Sequence, residues 1–165
     1  MKLIPTASQT VGPFFSIGLA PLYQNAAPTN STNKITIRGT VFDGNGKPIP
    51  DAVLEFWMAG NFVRVPTSED GTFSAVLEKL PEQRTQEGKA FNNYCEVLIF
   101  MRGLLKPVYT RVYFKAIEGL KSDPALKTVP PERSGTLVAK PKESAKEYEW
   151  NIFMQGENET VFFEY

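Results

Sequence analysis

The chain of 165 residues contains no histidine and only one cysteine, Cys95. Without an imidazole group it has no Ser-His-Asp triad, no histidine general base and no histidine-ligated metal. A single cysteine excludes an internal disulfide and, since histidine is missing too, a zinc site with the usual nitrogen and sulfur ligands. The composition therefore excludes the residue sets on which many hydrolases and zinc proteins depend.

An excess of charge of one sign is also missing, because 18 Lys and Arg side chains balance 18 Asp and Glu side chains. A neutral chain produces no net field that would attract nucleic acid or an anionic membrane. The first residues lack the apolar segment of a signal peptide, and no apolar run is long enough to cross a bilayer. We therefore expect a cytoplasmic protein that binds neither nucleic acid nor membranes.

Sustained helical periodicity is absent, and short stretches of alternating apolar and polar residues recur between Gly, Pro, Asn and Asp residues. In 34–42, for example, Ile35, Ile37 and Val41 share one face. The pattern predicts an all-β, single-domain β-sandwich with one or two short helical turns, of which one begins at Asp123. The predicted strands are 34–42, 52–58, 62–65, 72–78, 94–101, 108–115, 147–155 and 160–165.

The apolar run at 94–101 is nearly continuous, which predicts a central strand buried on both faces. Cys95 lies inside this run, so we expect a buried and unreactive thiol. The two tryptophans, Trp57 and Trp150, are expected in the core.

Residues 1–33 are rich in Pro, Thr, Ser and Asn and are predicted to form an extended arm ahead of a sandwich domain at 34–165. Phe14 and Phe15 would anchor this arm by burial, since two adjacent phenylalanines are unusual in a disordered tail. The alternative is a frayed terminus.

Six short motifs occur in order along nearly the whole chain. Together they resemble the intradiol ring-cleavage dioxygenases. The segments at 102–106 and 155–157 resemble the α-type subunit of the protocatechuate 3,4-dioxygenases rather than their β-type subunit. The motifs are 8–15 (SQTVGPFF), 37–41 (IRGTV), 43–57 (DGNGKPIPDAVLEFW), 102–106 (RGLLK), 109–114 (YTRVYF) and 155–163 (QGENETVFF).

The resemblance implies an activity that adds both atoms of O₂ to a catechol and opens the ring between its hydroxyls. It also implies that Fe³⁺ is held by two tyrosines and two histidines of the β-type subunit, in a heteromer whose α-type subunit lacks these ligands. In this chain the histidine pair corresponds to Tyr94 and Glu96, and the first tyrosine ligand falls near 61–62. Since two oxygen ligands rarely make a metal site, we interpret Tyr94 and Glu96 as remnants of a lost one. This chain alone should hold no metal and be inactive.

The resemblance further implies that Thr10, Gly12, Pro13 and Arg111 line the substrate pocket of the iron-bearing partner. Within the arm, Gly12 permits a close backbone approach, and Pro13 keeps the chain extended.

Arg111 shares a strand face with Tyr109 and Tyr113. A guanidinium between two rings can bind both the carboxylate and the ring of an aromatic acid. The residues alone also permit an ordinary cross-strand ladder in which Arg111 pairs with a glutamate.

Two other functions stay open at this point. Small transthyretin-like β-sandwiches, which serve in adhesion or sugar binding, share the Asp-Gly-x-Gly-x-Pro turn found at 43–48. The loops near 59–66 and 81–92 are also shorter than in typical α-type subunits, which is compatible with a degenerate stand-alone homologue that has lost both iron and partner.

Overall fold

Two larger β-sheets enclose the core, which confirms the predicted all-β sandwich. The strands are β1 (Lys34–Phe42), β2 (Val53–Met58), β3 (Asn61–Pro66), β4 (Thr72–Glu78), β5 (Gln83–Arg84), β6 (Ala90–Phe91), β7 (Tyr94–Phe100), β8 (Val108–Tyr113), β9 (Lys140–Pro141), β10 (Glu147–Glu149) and β11 (Ile152–Phe153). This computed structural model describes residues 4–12, 14–28, 30–58, 61–79, 83–84, 90–91, 94–114, 123–144 and 146–164.

The four-stranded sheet has the order β3-β2-β7-β8, and each neighbouring pair is antiparallel. In the five-stranded sheet, β1 pairs antiparallel with β4 on one side and parallel with β10 and β11 on the other. β9 pairs with β10, and β5 pairs with β6 in a separate two-stranded sheet.

The core lies between the two larger sheets and is built from alternate residues of their strands. The predicted inward face of β1 is confirmed, because Ile35, Ile37 and Val41 are all buried. The core side chains of the two sheets include Ile35, Ile37, Val41, Leu54, Phe56, Phe73, Ala75, Val97, Ile99 and Ile152.

β7 is a central strand as predicted, but the structure fully buries only one of its faces. Cys95, Val97 and Ile99 are buried, whereas the residues between them are half-buried. The predicted strand at 147–155 is wrong as a continuous element, since it divides into β10 and β11.

The division of that strand has a local cause. The chain passes so close to β1 that a Cβ added at Gly39 would lie 1.8 Å from the carbonyl oxygen of Trp150. At the next residue the Asn151 side chain, rather than a backbone carbonyl, accepts the N–H of Thr40 at 3.0 Å. The ladder with β1 is therefore interrupted for two residues and resumes at Val41 and Ile152.

The predicted strand at 160–165 is also wrong within the described residues, which form only an isolated bridge between Phe163 and Tyr109. Thr160 turns instead toward Phe153, donating its N–H to that residue's carbonyl and accepting its N–H on Oγ1, at 2.9 and 3.0 Å. Beyond Thr160, the Thr110 hydroxyl of β8 donates to the Val161 carbonyl at 2.7 Å and the Phe163 N–H donates to the Tyr109 carbonyl at 2.8 Å, so the segment follows β8 without a regular ladder.

The arm is not uniformly extended, because it contains helix α1 (Phe14–Leu19) and a 3₁₀ turn (Ala20–Leu22). Pro21 suits the first turn of a helix, since its fixed φ is already helical. Beyond this turn, Gln24 bridges to Arg64 of β3 and Ala26 to Val76 of β4, so the arm ties the edges of both sheets together. Among the described residues, no helix combines the length and apolarity that crossing a membrane requires.

Short helical turns occur where the sequence predicts one. Asp123 Oδ1 accepts the N–H of Ala125 at 2.9 Å, and a 3₁₀ turn follows at Leu126–Thr128. A further 3₁₀ turn, at a position that the sequence did not predict, occupies Ser134–Leu137.

Candidate functional site

The outer face of the four-stranded sheet, the side turned away from the core, collects the aromatic and charged residues that the sequence analysis singled out. Alternation along each strand places them there, because every second residue points away from the core. The outer-face residues are Val53, Glu55, Trp57, Phe62, Arg64, Tyr94, Glu96, Leu98, Phe100, Tyr109, Arg111 and Tyr113.

Trp57 is the most exposed of the large apolar side chains on this face. It is 45% exposed, whereas Trp150 is 3% exposed, so the prediction of two core tryptophans holds only for Trp150. The Trp57 ring lies against Phe62, with 4.5 Å between ring centroids, and leaves its other side uncovered by the described residues.

Arg111 lies opposite Glu96 in the register of β7 and β8. Its Nε donates to the hydroxyl of Tyr109 at 2.9 Å, and that hydroxyl donates to Glu96 Oε1 at 2.8 Å. Arg111 Nη2 lies 3.8 Å from the same carboxylate oxygen. The cross-strand ladder that the residues alone permit is therefore present, with Tyr109 relaying the contact.

Asp123 approaches Arg111 from beyond the sheet. Arg111 Nη1 lies 3.7 Å from Asp123 Oδ1, and the Tyr113 hydroxyl donates to Asp123 Oδ2 at 2.9 Å. The sequence predicts Asp123 only as a helix cap, and Asp123 Oδ1 does accept the Ala125 N–H at the start of the turn. Its second role could not be predicted, because it depends on where the chain returns after 115–122.

Aromatic rings enclose the Arg111 guanidinium on several sides. The guanidinium carbon lies 4.2 Å from the ring centroid of Tyr94, 5.9 Å from that of Tyr109 and 5.8 Å from that of Phe163. All three distances are within the range of cation–π attraction. We call Arg111, Tyr94, Glu96, Tyr109, Tyr113, Asp123 and Phe163 the Arg111 cluster.

The electrostatics of the Arg111 cluster favour neutral phenols around a fixed cation. Burial raises the pKa of Tyr94, Tyr109 and Tyr113 above the usual value of tyrosine. Burial would by itself lower the pKa of Arg111, but hydrogen bonds to Tyr109 and Tyr113, together with charge interactions with Tyr94 and Tyr109, outweigh that effect and raise it. The phenols therefore stay protonated and the guanidinium stays charged.

This arrangement does not fit a ferric ion. A metal ligand must be deprotonated, but the Tyr109 and Tyr113 hydroxyls donate their protons to Glu96 and Asp123. The guanidinium of Arg111 already occupies the space between these two carboxylates. In the part of the chain that the structure describes, no group of three or more Asp, Glu or Cys side chains could hold a metal.

The arm lies at the other end of the same outer face. The ring of Phe15 packs on Phe100 with 5.5 Å between centroids, and Thr10 Oγ1 accepts the N–H of Gly103 at 2.7 Å. Phe14, in contrast, is exposed, so one phenylalanine of the pair anchors the arm.

The structure places the predicted pocket residues in two patches rather than one. Gly12, whose carbonyl accepts the N–H of Phe15, belongs to the arm together with Thr10, and Pro13, the residue after Gly12, lies outside the described residues. Arg111 sits near Glu96, which is four residues from Phe100 along β7, a separation of about 13 Å at the rise of a strand. One molecular surface of ordinary size can therefore contact both patches.

Comparison with known proteins gives a consistent family. No family model matches the chain. The alpha chain of protocatechuate 3,4-dioxygenase from Burkholderia cepacia is 33% identical over 190 residues, with 96% of each chain covered. The corresponding alpha chain from Pseudomonas putida is 30% identical over 199 residues, covering 100% of this chain and 99% of the relative.

Solved structures of intradiol dioxygenases share the fold. Hydroxyquinol 1,2-dioxygenase from Pseudomonas putida DLL-E4 has a TM-score of 0.59 at 15% identity, covering 82% of this chain and 60% of its own. The dioxygenase domain of a carbohydrate-binding fusion protein from Streptomyces sp. SirexAA-E has a TM-score of 0.57 at 19% identity, covering 81% and 88%. At such identities the similarity establishes the fold, and neither of the alternative functions finds support.

Proposed function

The chain belongs to the family of protocatechuate 3,4-dioxygenase alpha chains, and from this we propose that it is the α-type subunit of a heteromeric, cytoplasmic intradiol dioxygenase acting in the breakdown of aromatic compounds. Similarity to two such alpha chains along the whole sequence is the observation that carries the proposal. Its reaction class is oxidoreductase, since both relatives are subunits of dioxygenases. The substrate is protocatechuate or a close relative.

The iron, as Fe³⁺, belongs to a β-type partner in this proposal. The Arg111 cluster supports this division of labour, because its guanidinium stacks on Tyr94 and is linked through the Tyr109 hydroxyl to Glu96, the two residues that the sequence resemblance aligns with the missing histidine ligands. This chain contributes one wall of the partner's substrate pocket and no step of the iron chemistry.

The outer face of the four-stranded sheet and the arm form the partner-facing surface. Apolar side chains that a folded chain normally buries are exposed there: Phe14, Ile17 and Leu22 on the arm and Trp57 on β2. Exposed apolar patches of this kind mark interaction sites. Thr10, Gly12 and Pro13 of the arm and Arg111 of β8 would thereby reach the partner's pocket together.

Arg111 would recognise the carboxylate of the substrate. Its ion pairs with Glu96 and Asp123 are 3.8 and 3.7 Å long, which exceeds a hydrogen-bond distance. A substrate carboxylate can therefore compete for the terminal N–H groups, while Tyr94 keeps the guanidinium in place by stacking on it.

Co-expression with the β-type chain of the same genome tests the proposal. We expect the two chains to co-purify as one complex, and Trp57→Asp to weaken the complex because it places a charge on the apolar partner-facing surface. Ser74→Asp is the matched control, since Ser74 is exposed on β4 of the other sheet. Separate elution of the two wild-type chains, or equal weakening by both variants, would contradict it.

A further inference from the structure

Two residues of the loop between β7 and β8, Arg102 and Gly103, stabilise its shape. Gly103 adopts a positive φ of 90°, a conformation that favours glycine. The Arg102 side chain forms an ion pair with Asp51, just before β2. The Leu104 N–H closes the turn on the Met101 carbonyl at 3.4 Å. The loop therefore presents its Gly103 N–H in a defined direction.

A hydrogen bond, a ring contact and a shared cleft join the arm to this loop and to the end of β7. Thr10 Oγ1 accepts the Gly103 N–H at 2.7 Å, and Phe15 packs on Phe100 at the end of β7. Between these two points, a cleft of about 160 Å³ is shared by the arm and the loop. Its lining residues include Gln9 and Val11 from the arm and Met101, Leu104 and Leu105 from the strand end and loop.

The Thr10 hydroxyl accepts one hydrogen bond and donates another. While its oxygen accepts the Gly103 N–H, its proton is donated to the Val11 carbonyl at 3.3 Å. A hydroxyl has one proton to donate, so Thr10 has none left for a substrate in this arrangement.

We propose that the loop at 102–106 is a clamp for the arm, and that Thr10 is a positioning residue that acts through Gly103 rather than by touching substrate. Because Gly12 is only two residues away, fixing Thr10 also fixes the backbone that enters the partner's pocket. The inference rests on the proposed function, since the arm matters to catalysis only if it lines that pocket. Pre-ordering a segment in its bound position raises affinity by removing the ordering cost.

Amide hydrogen exchange on the isolated chain tests the clamp without any partner. We expect the Gly103 amide to exchange about tenfold faster in Thr10→Val, which keeps the shape of the side chain but loses the acceptor, and at the wild-type rate in Thr10→Ser. Equal Gly103 exchange in wild type and Thr10→Val would overturn the clamp.

Steady-state kinetics of the reconstituted complex with protocatechuate test the positioning role. We expect Thr10→Val to raise KM about tenfold with little change in kcat, and Thr10→Ser to restore the wild-type KM. A fall in kcat for Thr10→Val with unchanged Gly103 exchange would mean that the hydroxyl touches the substrate, and it would overturn the inference. A wild-type complex without activity would refute the proposed function, while the exchange rates would still decide the clamp.

Discussion

The guanidinium carbon of Arg111 lies 4.2 Å from the ring centroid of Tyr94, with Arg111 on β8 and Tyr94 on β7. In the motif resemblance Tyr94 aligns with a histidine ligand of the iron-bearing subunits, so under the proposed function a cation stacks on the residue that replaces this ligand. Arg111, which belongs to the chain itself, compensates the negative charges of the two flanking carboxylates, Glu96 and Asp123.

Arg111→Met should destabilise the isolated chain by about 1–3 kcal/mol, because it removes the cation from two half-buried carboxylates and leaves their charges uncompensated. Urea unfolding measures the change. Arg102→Met is the matched control, since Arg102 is largely exposed in its pair with Asp51 and should change stability by about 0.5 kcal/mol or less. Equal effects of the two substitutions would contradict the role of the Arg111 cluster in stability.

Arg111→Ala in the assembled complex should weaken binding of carboxylated catechols about ten- to a hundredfold, since a hydrogen bond to a charged group contributes about 1.5–3 kcal/mol. Unsubstituted catechol has no carboxylate and serves as the control substrate, on which the effect should be much smaller. Kinetics on both substrates, with wild type and variant side by side, make the comparison. Equal losses of affinity for the two substrates would show that Arg111 supports the fold of the site and does not bind the substrate carboxylate.

Alternation along strands made much of the fold and part of the site predictable from sequence. The bounds of β1 and β4, and the shared face of Tyr109, Arg111 and Tyr113, follow from a repeat of two residues. The sequence predicts a glutamate as a partner of Arg111 but does not identify it as Glu96. The pairing register of two strands cannot be read from a local sequence pattern.

Features that depend on distant parts of the chain could not be predicted from the sequence. The break between β10 and β11 depends on the close approach of Trp150 to Gly39, and the exposure of Trp57 depends on how little of the outer face the arm covers. Both are tertiary effects that override a local pattern favouring a strand or a buried ring. Helix α1 was missed because six residues give too short a window for helical periodicity.

Gly39→Ala should destabilise the chain by about 3 kcal/mol or more, because the new Cβ would lie 1.8 Å from the backbone oxygen of Trp150, and backbone cannot move aside as a side chain can. Gly135→Ala is the control, since a Cβ there meets nothing within 4 Å. Thermal or urea unfolding of both variants decides the point. Near-wild-type stability of Gly39→Ala would mean that β1 and the β10–β11 junction are farther apart than described.

Cys95 should resist thiol reagents in the folded chain. Burial raises the pKa of its thiol, so that the reactive thiolate fraction at pH 8 is lower than for a free cysteine, and the side chain is fully buried on β7. A colorimetric thiol assay at pH 8 should detect no thiol in the native chain and one per chain in denaturant. Rapid reaction in the absence of denaturant would place Cys95 at the surface.

Oxygen uptake in the presence of protocatechuate tests the central claim most directly, because it reads out the dioxygenase reaction itself. It should be measured on the purified chain and on its complex with the β-type chain, at equal concentrations of this chain and with the iron content of both samples determined. The account predicts uptake by the iron-containing complex and none by the isolated chain, which should carry no stoichiometric iron. Turnover by the isolated chain at the rate of the complex, with iron bound to it, would contradict the assignment as a non-iron-binding subunit.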